Sequence, residues 1–357
     1  MMADVLLTVS GEVPAEISAA IANQQRPRAD YLELARNFGA DLLDYTRARE
    51  LTGKMGQFLE KIGGPNLMLA WSCFQQRHQY RIIFTDGEQV GIPLALLCKL
   101  FGRRGATHMM IAHILSVGKK MLLFDLFGLQ HQIDTFIVYA TWQKHFIEQR
   151  WHVPGEQVMF TPFMVDSNFF TPAAVTAQPR RMICAVGLEF RDYPTLLKAV
   201  DGLDVEVIIA AASPWSKRTD TTAGEAIPAN VTVRKFTQYE LRQLYADSLF
   251  VVMPLYAVDF QAGVTAILEA MAMERAVICS HTTGQSDIVV DGQTGLYVPP
   301  GDAESLRAAI LKLLAAPEQA RAMGKAGRRT VEAELSLDHY ATRLQQGVRR
   351  LLIAQEK

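Results

Sequence analysis

Short runs rich in β-branched residues alternate with longer helical patterns from one end of this chain to the other, and the alternation occurs in two successive sets. Strands that recur after helix-length segments build parallel sheets, because parallel neighbours need a crossover connection between them. In the first half the runs fall at residues 5–9, 80–85, 108–112, 135–139 and 158–161. In the second they fall at 182–186, 205–210, 231–233, 250–253, 276–279 and 295–298. The pattern predicts an α/β protein of two Rossmann-like parallel-sheet domains. A length of 357 residues agrees, being long for one hydrophobic core and comfortable for two.

The periodic patterns lapse in FTPAAVTAQPR, residues 170–180, where Pro, Ala, Thr and Gln take over. The expected organisation is a first domain at 1–172, a second at 173–336, and a C-terminal helix at 337–357 packing back toward the first. Before that helix, Asp302 is placed to cap a segment that buries Leu306, Ile310 and Leu313. Two such domains leave a cleft between the C-terminal edges of their sheets, where open α/β folds bind ligands.

Charge excludes some partners. Lys plus Arg number 36 and Asp plus Glu 37, so a net charge of −1 gives no global field to draw in nucleic acid or anionic lipid. Any phosphate site must therefore be local. Cys73, Cys98, Cys184 and Cys279 lie far apart in apolar runs without CxxC spacing, as expected of reduced core thiols in a cytoplasmic protein. The opening MMADVLLTVSGEVP lacks a basic segment followed by a long apolar one, so no signal peptide is expected. The stretch 121–133 is too short to span a bilayer, but Lys119 and Lys120 before it leave open a peripheral contact with the inner membrane surface.

The segment QAGVTAILEAMAMERAVICS, residues 261–280, places Glu269 among Leu268, Ala270 and Met271. Buried without a partner, such a carboxylate would cost several kcal/mol. Two readings stay open: a half-exposed helix Glu, or a Glu aimed at a ligand's hydroxyls while the N–H groups after Gly263 face an anion of the same ligand. Other second-half strand ends are also small or polar. Gly187 permits close approach of a ligand and is followed by Arg191, while Lys217 comes after the next strand. Two cations on neighbouring strand ends beside a helix N-terminus point to a diphosphate. Gly284 opens a further short helix after a strand, with Thr282 and Thr283 as sugar or phosphate ligands or as caps.

In the first half, His113 follows a strand and is the polar group best placed to face the cleft; His108, His131, His145 and His152 stand at less telling positions. Asp86 and Glu88, in FTDGEQVG, follow another strand, and Gly11 follows the first. These four define an acceptor side.

Here the second half resembles the retaining GT-B glycosyltransferases, and specifically glycosyltransferase family 4. The likeness is carried by VGLEFRDYPTLLKAV, VTVRKFTQYELRQLYADSLFVVMPL, the LEAMA of the signature and DIVVDGQTGLYVPPGDAESLRAAI. It is strong over residues 181–335 and extends weakly into the first half through DTFIVYATWQKHFIEQ and VMFTPFMVDSNFFTP. The resemblance implies a nucleotide diphosphate sugar, UDP- or GDP-linked, as co-substrate. Glu269 would bind ribose hydroxyls, Arg191 and Lys217 would neutralise the diphosphate, and His113 would stand near the anomeric centre. Gly187, Gln261, Ala262, Gly263, Val264 and Thr265 complete the donor set.

The chain departs from the family at the first signature position, where Gln261 replaces Glu, at Leu188 in place of the usual Arg, and at Gly263, one position before the usual glycine. An amide can still hydrogen-bond sugar hydroxyls, but it carries no charge. The expected activity is metal-independent transfer of a hexose with retention, without other cofactors and without a DxD motif, through electrostatic stabilisation of the departing diphosphate. His113, Arg191, Lys217 and Gln261 are the expected catalytic set. Phe124, Leu126, Phe127 and Leu129 suggest a lipid-linked or aromatic acceptor. The alternatives are a non-catalytic nucleotide-sugar-binding or regulatory protein, and an epimerase or phosphorylase on the same architecture.

Overall fold

The computed structural model describes residues 3–103, 105–178, 180–211 and 226–356. By internal contacts the chain forms two compact units. One takes the chain up to Ala19, from Arg28 to Thr161 and from Ala341 onward; the other takes Ala20–Pro27 and Pro162–Tyr340.

The first unit contains the parallel strands β1 (Val5–Thr8), β2 (Asp41–Leu43), β3 (Ile82–Thr85), β4 (Thr107–Ile111), β5 (Thr135–Val138) and β6 (Val158–Phe160), in the spatial order β2-β1-β3-β4-β5-β6. Strand β2 has no counterpart in the sequence pattern. It is three residues long, only Leu43 of it is buried, and it pairs with β1 at the sheet edge in the register Leu6 to Asp41. So short a run carries no periodicity to read.

The helices in chain order begin with α1 (Ile17–Ala22), α2 (Asp30–Phe38), α3 (Tyr45–Gln76), α4 (Glu88–Phe101), α5 (Gly118–Phe127) and α6 (Thr141–Trp151). Asp44 caps α3 by accepting the Arg47 N–H at 2.8 Å. That helix is broken at Gly53 (φ 55°, ψ −142°) and Gly64 (φ 78°, ψ 175°), which isolates residues 54–63 as a segment of its own.

The second unit contains β7 (Met182–Val186), β8 (Glu206–Ala210), β9 (Val231–Arg234), β10 (Val251–Met253), β11 (Val277–Ser280) and β12 (Gly295–Val298), all parallel, in the order β12-β11-β10-β7-β8-β9. Its helices are α7 (Tyr193–Val200), α8 (Gln238–Asp247), α9 (Val264–Ala272), α10 (Ala303–Ala315) and α11 (Pro317–Thr330), and α12 (Leu337–Ala354) closes the chain. Central strands β7, β10 and β11 are buried throughout, as strands covered on both faces must be. Asp302 caps α10 by accepting the Ser305 N–H at 2.9 Å, and Leu306, Ile310 and Leu313 are buried.

The change of unit at 161–162 comes earlier than the Pro-containing stretch 170–180 suggests. Phe169 and Phe170 are each 1% exposed, with Phe170 against the Tyr245 ring at 6.2 Å and the Arg242 guanidinium 4.0 Å over Phe169, so apolar burial has already committed this stretch to the second core. The later part of α12 belongs to the first unit. There Arg343 donates to Thr161 Oγ1 at 2.9 Å and Arg81 donates to the Leu352 carbonyl at 2.6 Å. Among the described residues no helix is long and apolar enough to cross a membrane.

Candidate functional site

In each sheet the direction of strand addition reverses once, between β1 and β3 in the first and between β7 and β10 in the second. The loops leaving the strands at such a point diverge to opposite faces and open a crevice at the C-terminal edge.

In the second unit the loop after β7 is stitched to the loop after β10. Asp192 donates its N–H to the Pro254 carbonyl at 3.0 Å, Tyr256 donates to Phe190 at 3.1 Å, and the Phe190 and Phe260 rings meet edge to face at 4.7 Å. Arg191 lies between these loops and is 5% exposed; its Nε donates to the Val186 carbonyl at 2.9 Å and its Nη1 to that of Glu189 at 2.7 Å. Two of the predicted glycines sit directly on it. At Gly187 (φ 102°) a Cβ would lie 2.4 Å from Arg191 Nη2, and at Gly263 (φ 79°) one would lie 3.3 Å from Nη1 and 2.9 Å from Met253 Sδ. A side chain at Gly187 would displace the guanidinium, and one at Gly263 would push Met253 aside and press on it. Burial pulls the Arg191 pKa below its usual value, yet a guanidinium keeps its proton.

Gly263 is also the N-cap of α9, and among the described residues no side chain caps that helix, so its first N–H groups keep the positive end of the helix dipole available to an anion. Ala262 and Val264 are buried beside it, whereas Thr265 is exposed. Gln261 stands at the start of this turn. Neither its Nε2 nor its Oε1 has a hydrogen-bond partner among the described residues, although both atoms are buried.

Glu269 faces inward. It is 6% exposed, and its Oε2 accepts the Tyr245 hydroxyl at 2.8 Å. Burial raises its pKa to about 7, with the Tyr245 hydrogen bond working in the opposite direction. Burial, followed by the Glu269 charge, pushes the Tyr245 hydroxyl far above its ordinary range.

The loop after β11 supplies residues that the sequence singled out weakly or not at all. A Cβ on Gly284 would lie 2.2 Å from the Phe260 carbonyl carbon and oxygen, so only glycine lets these two loops touch. Gln285 is fully buried and donates through Nε2 to the Ala262 carbonyl at 3.0 Å. Its Oε1, like Thr282 Oγ1, has no hydrogen-bond partner among the described residues. Buried polar atoms are normally satisfied, so the orphaned ones in these three linked residues call for an ordered water or a polar ligand. Lys217, the other expected cation, lies outside the described residues.

In the first unit Asp86 is a clasp between strand ends. It accepts Thr8 Oγ1 at 2.5 Å, the Ser10 N–H at 2.6 Å and Ser10 Oγ at 2.9 Å, which ties the β3 exit to the β1 exit beside Gly11. Burial raises the Asp86 pKa, and these hydrogen bonds and His113 oppose the rise. Glu88, 3% exposed, accepts the N–H groups of His113 at 2.9 Å and Ile114 at 3.1 Å and pairs with Lys120 at 2.7 Å. Burial works to raise its pKa; the charges of His113 and Lys120 outweigh that and leave it below the usual value. Thus Glu88 is committed to shaping the turn that carries His113. The His113 ring stays half-exposed, with Nε2 3.0 Å from the Asp86 carbonyl oxygen and the ring 5.6 Å from that of Tyr139. Half-buried Asp30, at the start of α2, joins this group: burial raises its pKa, and the Asp86 charge adds to the rise. Among the described residues no group of three or more His, Cys, Asp or Glu could hold a metal ion.

Residues 185–316 match the family described as glycosyl transferases group 1. The fold has relatives over nearly all of the chain. The structure of sucrose-phosphate synthase from Thermosynechococcus elongatus is similar with a TM-score of 0.72 and 19% identity, covering 98% of this chain and 99% of that one. HepE from Anabaena, in complex with UDP and glucose, is similar with a TM-score of 0.68 and 12% identity over 97% and 99% of the two chains. The chain is glycosyltransferase-like, with the GT-B fold.

Sequence likeness is more local. Alpha-maltose-1-phosphate synthase of Mycolicibacterium smegmatis is 29% identical over 152 residues, 39% of this chain and 38% of that protein. The lipopolysaccharide core biosynthesis mannosyltransferase LpcC of Rhizobium leguminosarum bv. viciae is 37% identical over 75 residues, 21% of each. The chain thus spans less than two fifths of the length of these curated relatives.

Proposed function

We propose that the protein is a retaining, metal-independent hexosyltransferase of the family 4 type that uses a nucleotide diphosphate sugar. The observation that carries this reading is the buried Arg191 guanidinium beneath Gly187 and Gly263, next to the uncapped start of α9. A fixed positive charge beside glycine backbone suits a diphosphate, which accepts hydrogen bonds from N–H groups at close range. The family match over this part of the chain, and the UDP and glucose bound by HepE, support the same donor class.

In this mechanism the acceptor hydroxyl oxygen bonds to the anomeric carbon as the bond from that carbon to the diphosphate oxygen breaks. The acceptor proton passes to the departing phosphate on the same face, which retains configuration. Arg191, the α9 N-terminus and Lys217 stabilise the charge that develops on the diphosphate. Gln261, Gln285 Oε1 and Thr282 Oγ1 provide polar contacts to sugar hydroxyls, and Glu269 serves the ribose. The first unit is the acceptor side through Gly11 and His113, with Asp86 and Glu88 holding the strand exit and the turn that present them; a lipid-linked or aromatic acceptor is the favoured class.

A screen of UDP- and GDP-sugars tests this reading. A ligand selective for the folded state raises stability by RT ln(1 + [L]/Kd), about 2.7 kcal/mol at a hundredfold excess over Kd, visible as a thermal shift. Labelled donors should then give transfer or slow hydrolysis. Absence of both binding and turnover across the screen refutes the proposal. Gln261 favours a second reading, a protein that binds the nucleotide sugar without turning it over; binding with neither transfer nor hydrolysis would select that one.

A further inference from the structure

The middle segment of α3, residues 54–63 in the first unit, presents an apolar face to solvent. Met55, Phe58 and Ile62 are 51%, 57% and 62% exposed, although side chains of this kind normally turn inward. Their spacing of three and four residues places them on one side of the helix, with Leu59 half-exposed beside them. Lys54 and Lys61, both exposed and seven residues apart, border the same stripe along the Phe58 side. Glu60 is the one acidic residue of the segment. It projects toward the opposite flank, where it pairs with Arg49 at 2.8 Å, and Arg49 also pairs with Glu12.

The inward side of the segment is equally defined: Gly56 is buried, and a Cβ there would collide with the Thr52 side chain. This side fixes which face points out. Helix α5, which overlaps the stretch 121–133 singled out by the sequence for a membrane contact, is a weaker match. It exposes Leu122, Leu126 and Phe127, but Asp125 lies among them, paired with Arg150 and Trp151.

We propose that residues 54–63 dock on the surface of an anionic lipid bilayer. Met55, Phe58 and Ile62 enter the boundary between headgroups and acyl chains, and Lys54 and Lys61 lie at the level of the anionic headgroups. Charge complementarity selects this occupant: an apolar stripe bordered by two cations fits a fluid, negatively charged surface. A second copy of the chain would bring like charges together. Three side chains on ten residues also cover far less than the roughly 800 Å² per partner of a stable interface.

The test is sedimentation of the full chain with vesicles of phosphatidylcholine alone and of phosphatidylcholine mixed with phosphatidylglycerol. The protein should bind the mixed vesicles at least about tenfold more tightly, with binding weakened by salt. The double substitution Phe58→Ser/Ile62→Ser should lower that binding about tenfold or more. Lys54→Glu/Lys61→Glu should abolish the preference for anionic lipid, while Leu126→Ser should leave binding unchanged. All these positions are exposed, so far-ultraviolet circular dichroism and melting temperature should match the parent. The proposal is overturned if the parent ignores both vesicle types, if Phe58→Ser/Ile62→Ser binds as well as the parent, or if Leu126→Ser alone removes binding. It is also overturned if the only effect of Phe58→Ser/Ile62→Ser is loss of a dimer in sedimentation velocity. No nucleotide sugar enters the assay, so its failure leaves the transferase reading standing.

Discussion

Replacing Glu269 with Gln isolates the energetic consequence of a carboxylate held in the second core. In the folded chain burial moves its pKa from 4.5 to about 7, so between these values the native state binds a proton that the unfolded state has released. Linkage fixes the sign. Stability contributed by this group is fully present below about pH 4.5 and is lost as pH rises through about 7, after which the two states lose no further protons relative to each other. At about 1.36 kcal/mol per pH unit, the loss approaches about 3 kcal/mol. An amide has nearly the same shape, can still accept the Tyr245 hydroxyl at 2.8 Å in the parent geometry, and never ionises.

Equilibrium urea unfolding of both proteins across this pH range, with no ligand present, measures the effect, because titrations elsewhere cancel in the difference between them. Glu269→Gln should be close to the parent in stability at the acidic end and should gain on it by about 3 kcal/mol at the alkaline end. A stability gap that does not change with pH would refute the reasoning, since the carboxylate would then ionise alike in both states. A gap of the opposite sign would mean that a cation holds Glu269 ionised in the folded chain.

Tyr245→Phe removes the hydroxyl that Glu269 accepts; it should cost about 1–3 kcal/mol and should cost more above neutrality than below it, as read from the same urea titrations. Gly284→Ala drives a Cβ into the Phe260 backbone, so the loop carrying Gln261 must shift; a loss of about 1–3 kcal/mol in urea unfolding, with a smaller thermal shift on adding UDP or GDP, is the expected outcome. Arg191→Met should weaken nucleotide diphosphate binding by about tenfold or more in calorimetry while nucleoside binding changes little, because only the former has phosphate oxygens to lose a guanidinium.

Much of this architecture can be read from unbroken apolar runs such as MICAV and VVM, which have no polar face and therefore declare themselves as buried parallel strands. Strand β2 escapes because three residues with one buried side chain carry no pattern. In the site, Gly187, Arg191 and Gly263 are legible as a set, since small or cationic residues at strand ends are informative wherever the sheet goes. The partner of Glu269 is not legible: Tyr245 sits 24 residues away on another helix, and nothing in its local sequence separates it from an ordinary core tyrosine. The same holds for Asp86, whose acceptance of Thr8 and Ser10 shows it to be a clasp between strand exits. Gln285 escaped for a different reason. Its value lies in reaching the Ala262 carbonyl across two loops, a contact that only the packed sheet creates.

The final helix imposes an order of events on a chain emerging from the ribosome. Strands β1 to β6 are synthesised first, yet Arg81 finds its acceptor on Leu352, 271 residues later, and Thr161 waits 182 residues for Arg343. Contacts so distant along the chain form slowly because a long loop must close before they stabilise anything. The unit made first is therefore the one completed last, and a released chain ending before residue 341 would carry every residue of the second unit while the first lacked its closing helix.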